Sequence, residues 1–373
     1  MTIDWSTMVR PSLVGLEPYR PGPTLSELRR EHGLEEIAKL NWNEDLFGPV
    51  PGALDAVTEE LENAWMYPEQ AYSDLRDAVA TWLAIPPETV VPAHGIQALI
   101  AAVAHTFIRE GDTVLVPQPT YGLYAQVSAG AGARVVRVLN RDFRLDLPAL
   151  ANAARSEGAK LVWVCDPNNP TGSLVEPGEW AGFLDALPRG AVAVVDEAYR
   201  EYADPERRVD RKPDVLAGRP VVLLRTFSKI FGLAGQRVGY GIGPADVITA
   251  IGKVRRAFDV TSAGQEAALA SLDDQAELVR RRGVNKESMA LLLDALREHN
   301  LEPVGPAVAN FLFVRVGDAD ALNDALLRRG VIVRPMRSFG APDALRITAG
   351  TPEEVAFLGE ALAAIDLPVG AVR

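Results

Sequence analysis

Cysteine is nearly absent from this sequence: Cys165 is the only one among 373 residues. A single cysteine excludes an intramolecular disulfide and is typical of a reducing compartment, so we expect a cytoplasmic protein. Histidine is also scarce, and the four histidines are scattered along the chain at positions 32, 94, 105 and 299. With one cysteine they offer none of the spacings typical of metal ligands, and we expect no metal site.

Long runs of one residue type are missing as well. The net charge is −12 and no run of Lys and Arg is longer than three residues, which argues against nucleic-acid binding. The most apolar long stretch, residues 95–108, contains Gln97 and His105 and is too short to span a bilayer. The first thirteen residues lack the apolar core of a secretory signal. We therefore expect neither a nucleic-acid partner nor association with a membrane.

Between residue 90 and about residue 245, Val-rich apolar runs alternate regularly with helical patterns. Strands are predicted at residues 90–92, 113–117, 134–138, 160–165, 191–195, 221–224 and 238–242. Helices are predicted between most of them, at residues 96–109, 121–131, 147–156 and 179–187. Strands that alternate with helices predict an α/β fold with a mostly parallel sheet covered by helices on both faces.

The two ends of the chain follow other patterns. Residues 1–40 are rich in Pro and Gly and predict an N-terminal arm that packs with a small domain or a partner subunit. The arm holds one short helix, residues 25–32, opened by Thr24 and ended by Gly33. Long helices follow residue 245, and then a smaller set of strands (311–316, 331–334, 345–348) and helices (319–329, 352–365). We therefore predict an arm (1–40), a large domain (41–255) and a smaller α+β C-terminal domain (256–373).

Residues whose side chains or backbone amides can bind or react with a ligand follow five of the predicted strands. These groups are Gly95-Ile96-Gln97, Pro119-Thr120-Tyr121, Asp166 to Gly172 (DPNNPTG), Asp196-Glu197-Ala198-Tyr199, and Thr226 to Lys229. Ligands of parallel sheets bind beyond the carboxyl ends of the strands. The sequence therefore predicts one site at this edge, with amide donors, a carboxylate, phenols, hydroxyls and an amine.

Lys229 stands out among these groups. A lysine at the end of a buried strand is costly unless its amine is neutralised, paired or covalently used. Thr226 and Ser228 precede it, and Arg237 follows eight positions later, which forms a plausible cradle for a dianionic phosphate beside an amine. Taken alone, such a lysine more often reaches into solvent, so its assignment depends on the other motifs.

Together the motifs resemble a known family. They are Val9-Arg10-Pro11 through Pro18-Tyr19, Asn43-Glu44, Tyr67-Pro68, Pro119-Thr120-Tyr121-Gly122, Pro167 to Gly172, Asp196 to Tyr199, Thr226 to Arg237, Ala309-Asn310-Phe311 and Leu345-Arg346-Ile347-Thr348. In these motifs the chain resembles the fold-type I pyridoxal-phosphate (PLP) enzymes, specifically the class I/II aminotransferases, and is most similar to the histidinol-phosphate aminotransferases among them. The resemblance runs nearly end to end, in the family's order.

The resemblance implies catalytic and ring-binding roles. Lys229 would hold the PLP aldehyde as a Schiff base and then move a proton. Asp196 would pair with the pyridine nitrogen, although an aspartate after a strand is also typical of a helix N-cap. Asn169 and Tyr199 would hydrogen-bond the phenolate oxygen, or else serve a turn and the core. Tyr121 would stack on the ring, or else be an ordinary core aromatic.

The resemblance also implies how the phosphate and the substrates bind. The residues expected to hold the phosphate are Gly95, Ile96, Gln97, Thr226, Ser228, Arg237 and, from a partner subunit, Tyr67. A homodimer with shared active sites is therefore expected. The residues expected to meet the substrates are Arg346, which would bind a carboxylate or equivalent anion, Arg334, which otherwise makes a surface salt bridge, and Tyr19 and Asn43 at the entrance.

The implied activity is the transfer of an amino group from a donor to a 2-oxo acid by a ping-pong mechanism. Two segments depart from the family: Asn43-Glu44-Asp45-Leu46 replaces Asn-Glu-Asn-Pro, and Ala257 to Thr261 (AFDVT) replaces Pro-Phe-Asn-Val-Asn. Because Asp45 and Asp259 would repel a substrate phosphate, an aromatic amino acid stays open as donor beside histidinol phosphate. A PLP-dependent lyase resembling phosphothreonine decarboxylase and a non-catalytic aminotransferase-like domain are the alternatives.

Overall fold

The computed structural model describes residue 4 and residues 7–16, 24–305 and 307–365. Its strands are β1 (Ala38–Lys39), β2 (Val90–Ala93), β3 (Thr113–Gln118), β4 (Arg134–Leu139), β5 (Leu161–Cys165), β6 (Val192–Asp196), β7 (Val221–Thr226), β8 (Gly239–Ile242), β9 (Phe311–Arg315), β10 (Val331–Ile332), β11 (Arg334–Pro335) and β12 (Ala344–Thr348). Its helices are α1 (Pro11–Val14), α2 (Leu25–His32), α3 (Pro51–Glu60), α4 (Ser73–Leu83), α5 (Gly95–Phe107), α6 (Leu123–Gly130), α7 (Leu147–Ser156), α8 (Pro177–Ala186), α9 (Lys212–Leu216), α10 (Ala245–Val254), α11 (Ser262–Asp273), α12 (Gln275–Glu298), α13 (Ala319–Leu327) and α14 (Pro352–Ala363).

A seven-stranded sheet with the order β2-β8-β7-β6-β5-β3-β4 forms the centre of the fold. Strand β8 runs antiparallel to both of its neighbours, and the other pairs are parallel. The middle strands are buried along their whole length because apolar clusters cover both faces. This arrangement explains why their sequences are continuous Val-rich runs and not alternating ones. The predicted α/β class with a mostly parallel sheet is confirmed.

The C-terminal part has a sheet of its own, with the order β11-β12-β9 and antiparallel pairing. The strand predicted at residues 331–334 is in fact two short strands: β10 pairs with β1, and β11 pairs with β12. A hydrophobic pattern cannot reveal this division, since it does not show with which strand each half pairs. The domain boundaries proposed from the sequence stay a prediction.

The short helix α2 begins and ends at the predicted residues. The Thr24 side chain accepts from the Glu27 amide, Glu27 accepts from the Thr24 amide, and Gly33 ends the helix with a left-handed backbone. Local capping chemistry thus fixes both ends of this helix. Among the residues that the structure describes, no helix is both long and apolar enough to cross a membrane.

Candidate active site

The structure brings the five predicted groups of side chains to one edge of the central sheet. Strands β2, β3, β5, β6 and β7 all point the same way, because β2 and β7 both run antiparallel to β8. Their carboxyl ends therefore meet at one edge. The predicted residues lie at or directly after these ends: Asp196 is the last residue of β6, Thr226 is the last residue of β7, and Gly95 is the first residue of α5.

A cradle of donors lies where β7 and α5 meet. The hydroxyl of Thr226 donates to Ser228 Oγ over 2.9 Å, and Arg237 Nη1 donates to the same oxygen over 3.4 Å. Helix α5 begins at Gly95 and continues through Ile96 and Gln97, so its first amides have no acceptor within the helix. A guanidinium, hydroxyls and free amides at a helix N-terminus form a site that suits a dianionic phosphate.

The amine of Lys229 lies half-buried beyond β7. Its Nζ donates to the carbonyl oxygens of Trp42 and Asn43 over 3.1 and 3.0 Å. Burial, with the nearby positive charge of Arg346, lowers the pKa of Lys229 to about 7. Near neutral pH a large fraction of this amine is therefore unprotonated and can act as a nucleophile or a base.

The carboxylate of Asp196 is buried at the end of β6 and is hydrogen-bonded through both oxygens. The Tyr124 hydroxyl donates to Oδ2 over 2.6 Å, and the Ala198 amide donates to Oδ1 over 3.0 Å. Burial raises the pKa of Asp196 to about 6, while these two donors and the amine of Lys229 oppose the increase. The residue is thus a buried acid poised to pair with a positively charged group.

A polar chain joins this edge to the C-terminal sheet. Arg346 of β12 donates to Asn169 Oδ1 over 2.7 Å and to the Asn41 carbonyl over 2.6 Å. The Tyr199 phenol accepts from Asn43 Nδ2 over 2.9 Å and from Asn169 Nδ2 over 3.4 Å. Burial raises the pKa of Tyr199, so the phenol stays protonated at neutral pH.

Asn43 differs from its predicted place at the entrance. The residue is fully buried, with a φ of +55°, and it exchanges hydrogen bonds with Thr348. It therefore lies inside the site against Tyr199. Tyr19, the other residue predicted at the entrance, lies outside the described residues.

Two further predicted residues lie beside the edge. The Tyr121 hydroxyl accepts from Gln97 Nε2 over 2.9 Å, and its ring lies 5.8 Å from that of Phe339. Tyr121 precedes α6, which begins at Leu123 and not at the predicted position 121. Arg334 is the direct cross-strand partner of Arg346, so both side chains project from the same face of the C-terminal sheet.

The two acidic residues that argued against a substrate phosphate are already engaged. The Asp45 side chain is only 5% exposed and lies 2.8 Å from Arg281 Nη1. Asp259 accepts from the Tyr72 hydroxyl over 3.1 Å and lies 3.6 Å from Arg255. The expectation that their charges would repel a phosphorylated substrate stays a prediction, and the arginines paired with them would weaken such repulsion.

Tyr67 is the one predicted phosphate-binding residue, among those described, that projects away from the cradle. Its side chain is 83% exposed and contacts Phe258, with the ring centroids 4.9 Å apart. Trp65 and Met66 are exposed beside it. Within one chain the structure does not bring Tyr67 to the other residues.

Two residues that sequence reasoning missed contribute to the site. Tyr124, which binds Asp196, lies one helical turn after Tyr121, and this spacing is the only signal that could have found it. Arg281 donates to Asp45, to the Gly48 and Pro49 carbonyls and to the Ile230 carbonyl, next to Lys229. In the sequence it is one of three consecutive arginines and carries no such signal.

A buried ion network links the same strand ends. Glu197 lies 2.7 Å from Arg225 and 2.8 Å from Arg211, which in turn lies 2.6 Å from Asp166. Burial alone would raise the pKa of Glu197, but the arginines, Arg225 foremost, lower it to about 2. The network thus ties β5, β6 and β7 together through charged side chains.

The donor set fits PLP, the cofactor expected from the sequence. The cradle suits its phosphate, Asp196 suits a protonated ring nitrogen, and an amine of pKa about 7 suits its aldehyde. In the described part of the chain, no three or more His, Cys, Asp and Glu side chains are grouped so that they could hold a metal ion.

Comparison with known proteins agrees with this geometry. The sequence pattern of the family "Aminotransferase class I and II" matches residues 35–362. A histidinol-phosphate aminotransferase of Symbiobacterium thermophilum is 39% identical over 95% of this chain and 98% of its own length. One of Moorella thermoacetica is 38% identical over 92% of this chain and 89% of its own length.

Solved structures are similar too. A histidinol-phosphate aminotransferase of Sinorhizobium meliloti, crystallised with pyridoxal-5'-phosphate, has a TM-score of 0.87 and 30% identity, covering 95% of this chain and 96% of that one. A mutant aspartate aminotransferase of Thermus thermophilus, 23% identical with a TM-score of 0.83 over 97% of this chain and 99% of that one, shows the same fold. The resemblance inferred from the motifs is confirmed: the chain belongs to the family of class I and II aminotransferases.

Proposed function

We propose that this protein is a PLP-dependent aminotransferase that takes the amino group from histidinol phosphate and passes it to a 2-oxo acid. One observation carries the proposal: an amine of pKa about 7, a buried carboxylate and a phosphate-binding cradle meet at one sheet edge. The relatives named above, at 38% and 39% identity, support histidinol phosphate as the donor.

Different site residues would bind different parts of the cofactor. The α5 amides from Gly95 to Gln97, the hydroxyls of Thr226 and Ser228 and the guanidinium of Arg237 would hold the phosphate. Asp196 would bind the ring nitrogen, Asn169 and Tyr199 the phenolic oxygen, and Tyr121 one face of the ring. These assignments use every predicted cofactor residue of the chain except Lys229 and Tyr67.

Bound PLP supplies an aldehyde carbon that exchanges between amines and a ring that takes up the electron pair left when a Cα–H bond breaks. Lys229 is the base that takes this proton and returns it, because its pKa near 7 suits both directions at neutral pH. Asp196 stabilises positive charge at the ring nitrogen. Donor and acceptor react in turn at the same site, which gives ping-pong kinetics.

Arg346 is the anchor for the substrates. Histidinol phosphate carries a phosphate and no carboxylate, whereas a 2-oxo acid carries a carboxylate, so the same site must bind both anions in turn. A planar guanidinium binds either of them with two hydrogen bonds. The hydrogen bond of Arg346 to Asn169 supports this role, and Arg334 on the same sheet face would add a second positive charge. Tyr19 and Asn43 are further candidate substrate contacts.

The active protein is a homodimer in this proposal. The exposed Tyr67 reaches the phosphate cradle of the partner subunit, which would explain why a large aromatic side chain is 83% exposed in the single chain. The single cysteine, which is buried and unpaired, fits the predicted cytoplasmic location.

A donor screen tests the proposed function. The PLP-loaded protein is mixed with histidinol phosphate, phenylalanine, tyrosine or histidine, and the absorbance of the cofactor and the formation of keto product are followed. We expect the fastest change with histidinol phosphate. Lys229→Ala should bind PLP without turnover and keep the fold. Faster reaction with an aromatic amino acid would refute the donor, and release of carbon dioxide in place of keto product would indicate a lyase.

A further inference from the structure

Tyr124 connects helix α6 to the buried carboxylate of Asp196. The two residues are 72 positions apart in the sequence, and the hydroxyl donates to Asp196 Oδ2 over 2.6 Å. Tyr124 is fully buried and Asp196 is 4% exposed, so water does not compete for this hydrogen bond. Since the Ala198 amide binds Oδ1, each carboxylate oxygen has one donor from the chain.

The ring of Tyr124 is fixed from several sides. It stacks on Trp163 of β5 with the ring centroids 4.9 Å apart and an interplanar angle of 9°. The Trp163 indole nitrogen donates to Ser128 Oγ over 3.1 Å, and Ser128 belongs to the same helix as Tyr124. The Tyr121 ring meets Tyr124 edge-on at 5.5 Å. A phenol held this tightly can fix the orientation of the carboxylate it binds.

The surroundings of Asp196 otherwise favour its neutral form. Burial raises its pKa to about 6, and the negative charge of Glu197, its neighbour in the chain, acts in the same direction. The Cys165 thiol, paired in register with Asp196, stays neutral and adds no negative charge, because burial raises its own pKa. Of the side chains facing Asp196, Tyr124 and Lys229 favour the anion.

We propose that Tyr124 is a positioning residue whose hydroxyl keeps Asp196 ionised and in one orientation for the ring nitrogen of the cofactor. The inference rests on the proposed function, because it assumes that PLP binds at this site. A hydrogen bond to a charged group contributes enough to change binding about tenfold to a hundredfold. Tyr124→Phe removes this bond and keeps the ring that packs on Trp163.

The test is equilibrium binding of PLP to the protein stripped of its cofactor, followed by tryptophan fluorescence between pH 6 and 9. We expect Tyr124→Phe to weaken PLP binding about tenfold or more at neutral pH. We also expect the PLP affinity of Tyr124→Phe to begin to fall at a higher pH than that of the unaltered protein as the solution is acidified. The matched control is Tyr202→Phe, because the Tyr202 hydroxyl is also buried and donates to a carboxylate, Asp45, over 3.3 Å. The control should leave both quantities unchanged.

Two measurements separate positioning from a general structural effect. Inorganic phosphate competes with PLP for the cradle but does not reach Asp196, so Tyr124→Phe should leave phosphate affinity unchanged. In an Asp196→Asn protein, adding Tyr124→Phe should weaken PLP binding no further, since the hydroxyl acts through the carboxylate.

Several outcomes overturn the proposal. These are unchanged PLP affinity in Tyr124→Phe, an equal loss of PLP and phosphate affinity, and additive effects of the two substitutions. If the unaltered protein does not bind PLP, the proposed function fails together with this inference. If it binds PLP and Tyr124→Phe binds PLP equally well, only this inference fails.

Discussion

The guanidinium of Arg237 lies against the space in which a Cβ at position 95 would project. A Cβ built on Gly95 would be 2.8 Å from Arg237 Nη2, closer than such contacts occur. Both residues have a left-handed backbone, with φ of +72° at Gly95 and +56° at Arg237. The cradle therefore needs glycine at position 95 for two reasons, the backbone conformation and the close approach of the arginine.

Gly95→Ala should damage the cradle. The strained backbone costs about 1–2 kcal/mol of unfolding free energy, and the displaced guanidinium should weaken PLP binding about tenfold. Denaturant unfolding and PLP titration measure the two effects. The control is Gly252→Ala in helix α10, where a Cβ meets nothing within 4 Å and should stabilise the helix by about 0.5–1 kcal/mol. Full PLP affinity in Gly95→Ala would contradict the assignment of the cradle.

The Lys229 amine should react at an unusually low pH. Its pKa of about 7 lies below the ordinary value of 10.5, so the nucleophilic form appears as the pH rises through 7. Acylation of the cofactor-free protein, with each lysine quantified by mass spectrometry, should give a midpoint near pH 7 for Lys229. The exposed Lys253 serves as the reference for the reagent. A midpoint near pH 10 would show that the site does not depress this pKa.

Arg281→Met should destabilise the protein by about 3–5 kcal/mol, because it leaves the buried Asp45 carboxylate and several carbonyl oxygens without their donor. The adjacent Arg280 is the matched control, since its side chain is half exposed and donates to Glu277. Arg280→Met should change stability little. Urea unfolding of both variants measures the difference, and equal midpoints would mean that the buried pair contributes nothing.

We expect Tyr67 of one subunit and Lys229 of the other to belong to the same active site of a dimer. Lys229→Ala and Tyr67→Ala proteins are each expected to be inactive or strongly impaired. If the site is shared, mixing and re-equilibrating them in equal amounts should restore about a quarter of the sites, because half of the dimers are mixed and each has one intact site. Analytical ultracentrifugation checks that both variants form dimers. No recovery in the mixture would contradict the shared site.

Sequence reasoning succeeded where the signal is local. Thr24, Glu27 and Gly33 fix the ends of α2 within a few residues of each other, and the prediction matches the structure. The candidate site was also within reach, because polar residues directly follow buried strands and parallel topology brings them to one edge.

Sequence reasoning failed where a contact joins distant parts of the chain. Tyr124 meets Asp196 across 72 positions, and Arg281 meets Asp45 across 236. No periodicity predicts such pairs, since each side chain looks like an ordinary core tyrosine or a solvated charge. The ion pair of Asp45 with Arg281 was missed for this reason, because the partner is apparent only once the chain is folded.

The pairing of β1 with β10 also has a consequence for biosynthesis. Ala38 and Leu40 belong to the same apolar cluster as Val331 and Ile347, so these residues need partners that the ribosome adds about 290 residues later. At about 5–20 residues per second, this interval lasts on the order of 15–60 s. Until then β1 has no partner strand on the ribosome, and the apolar cluster it shares with β10 cannot be completed.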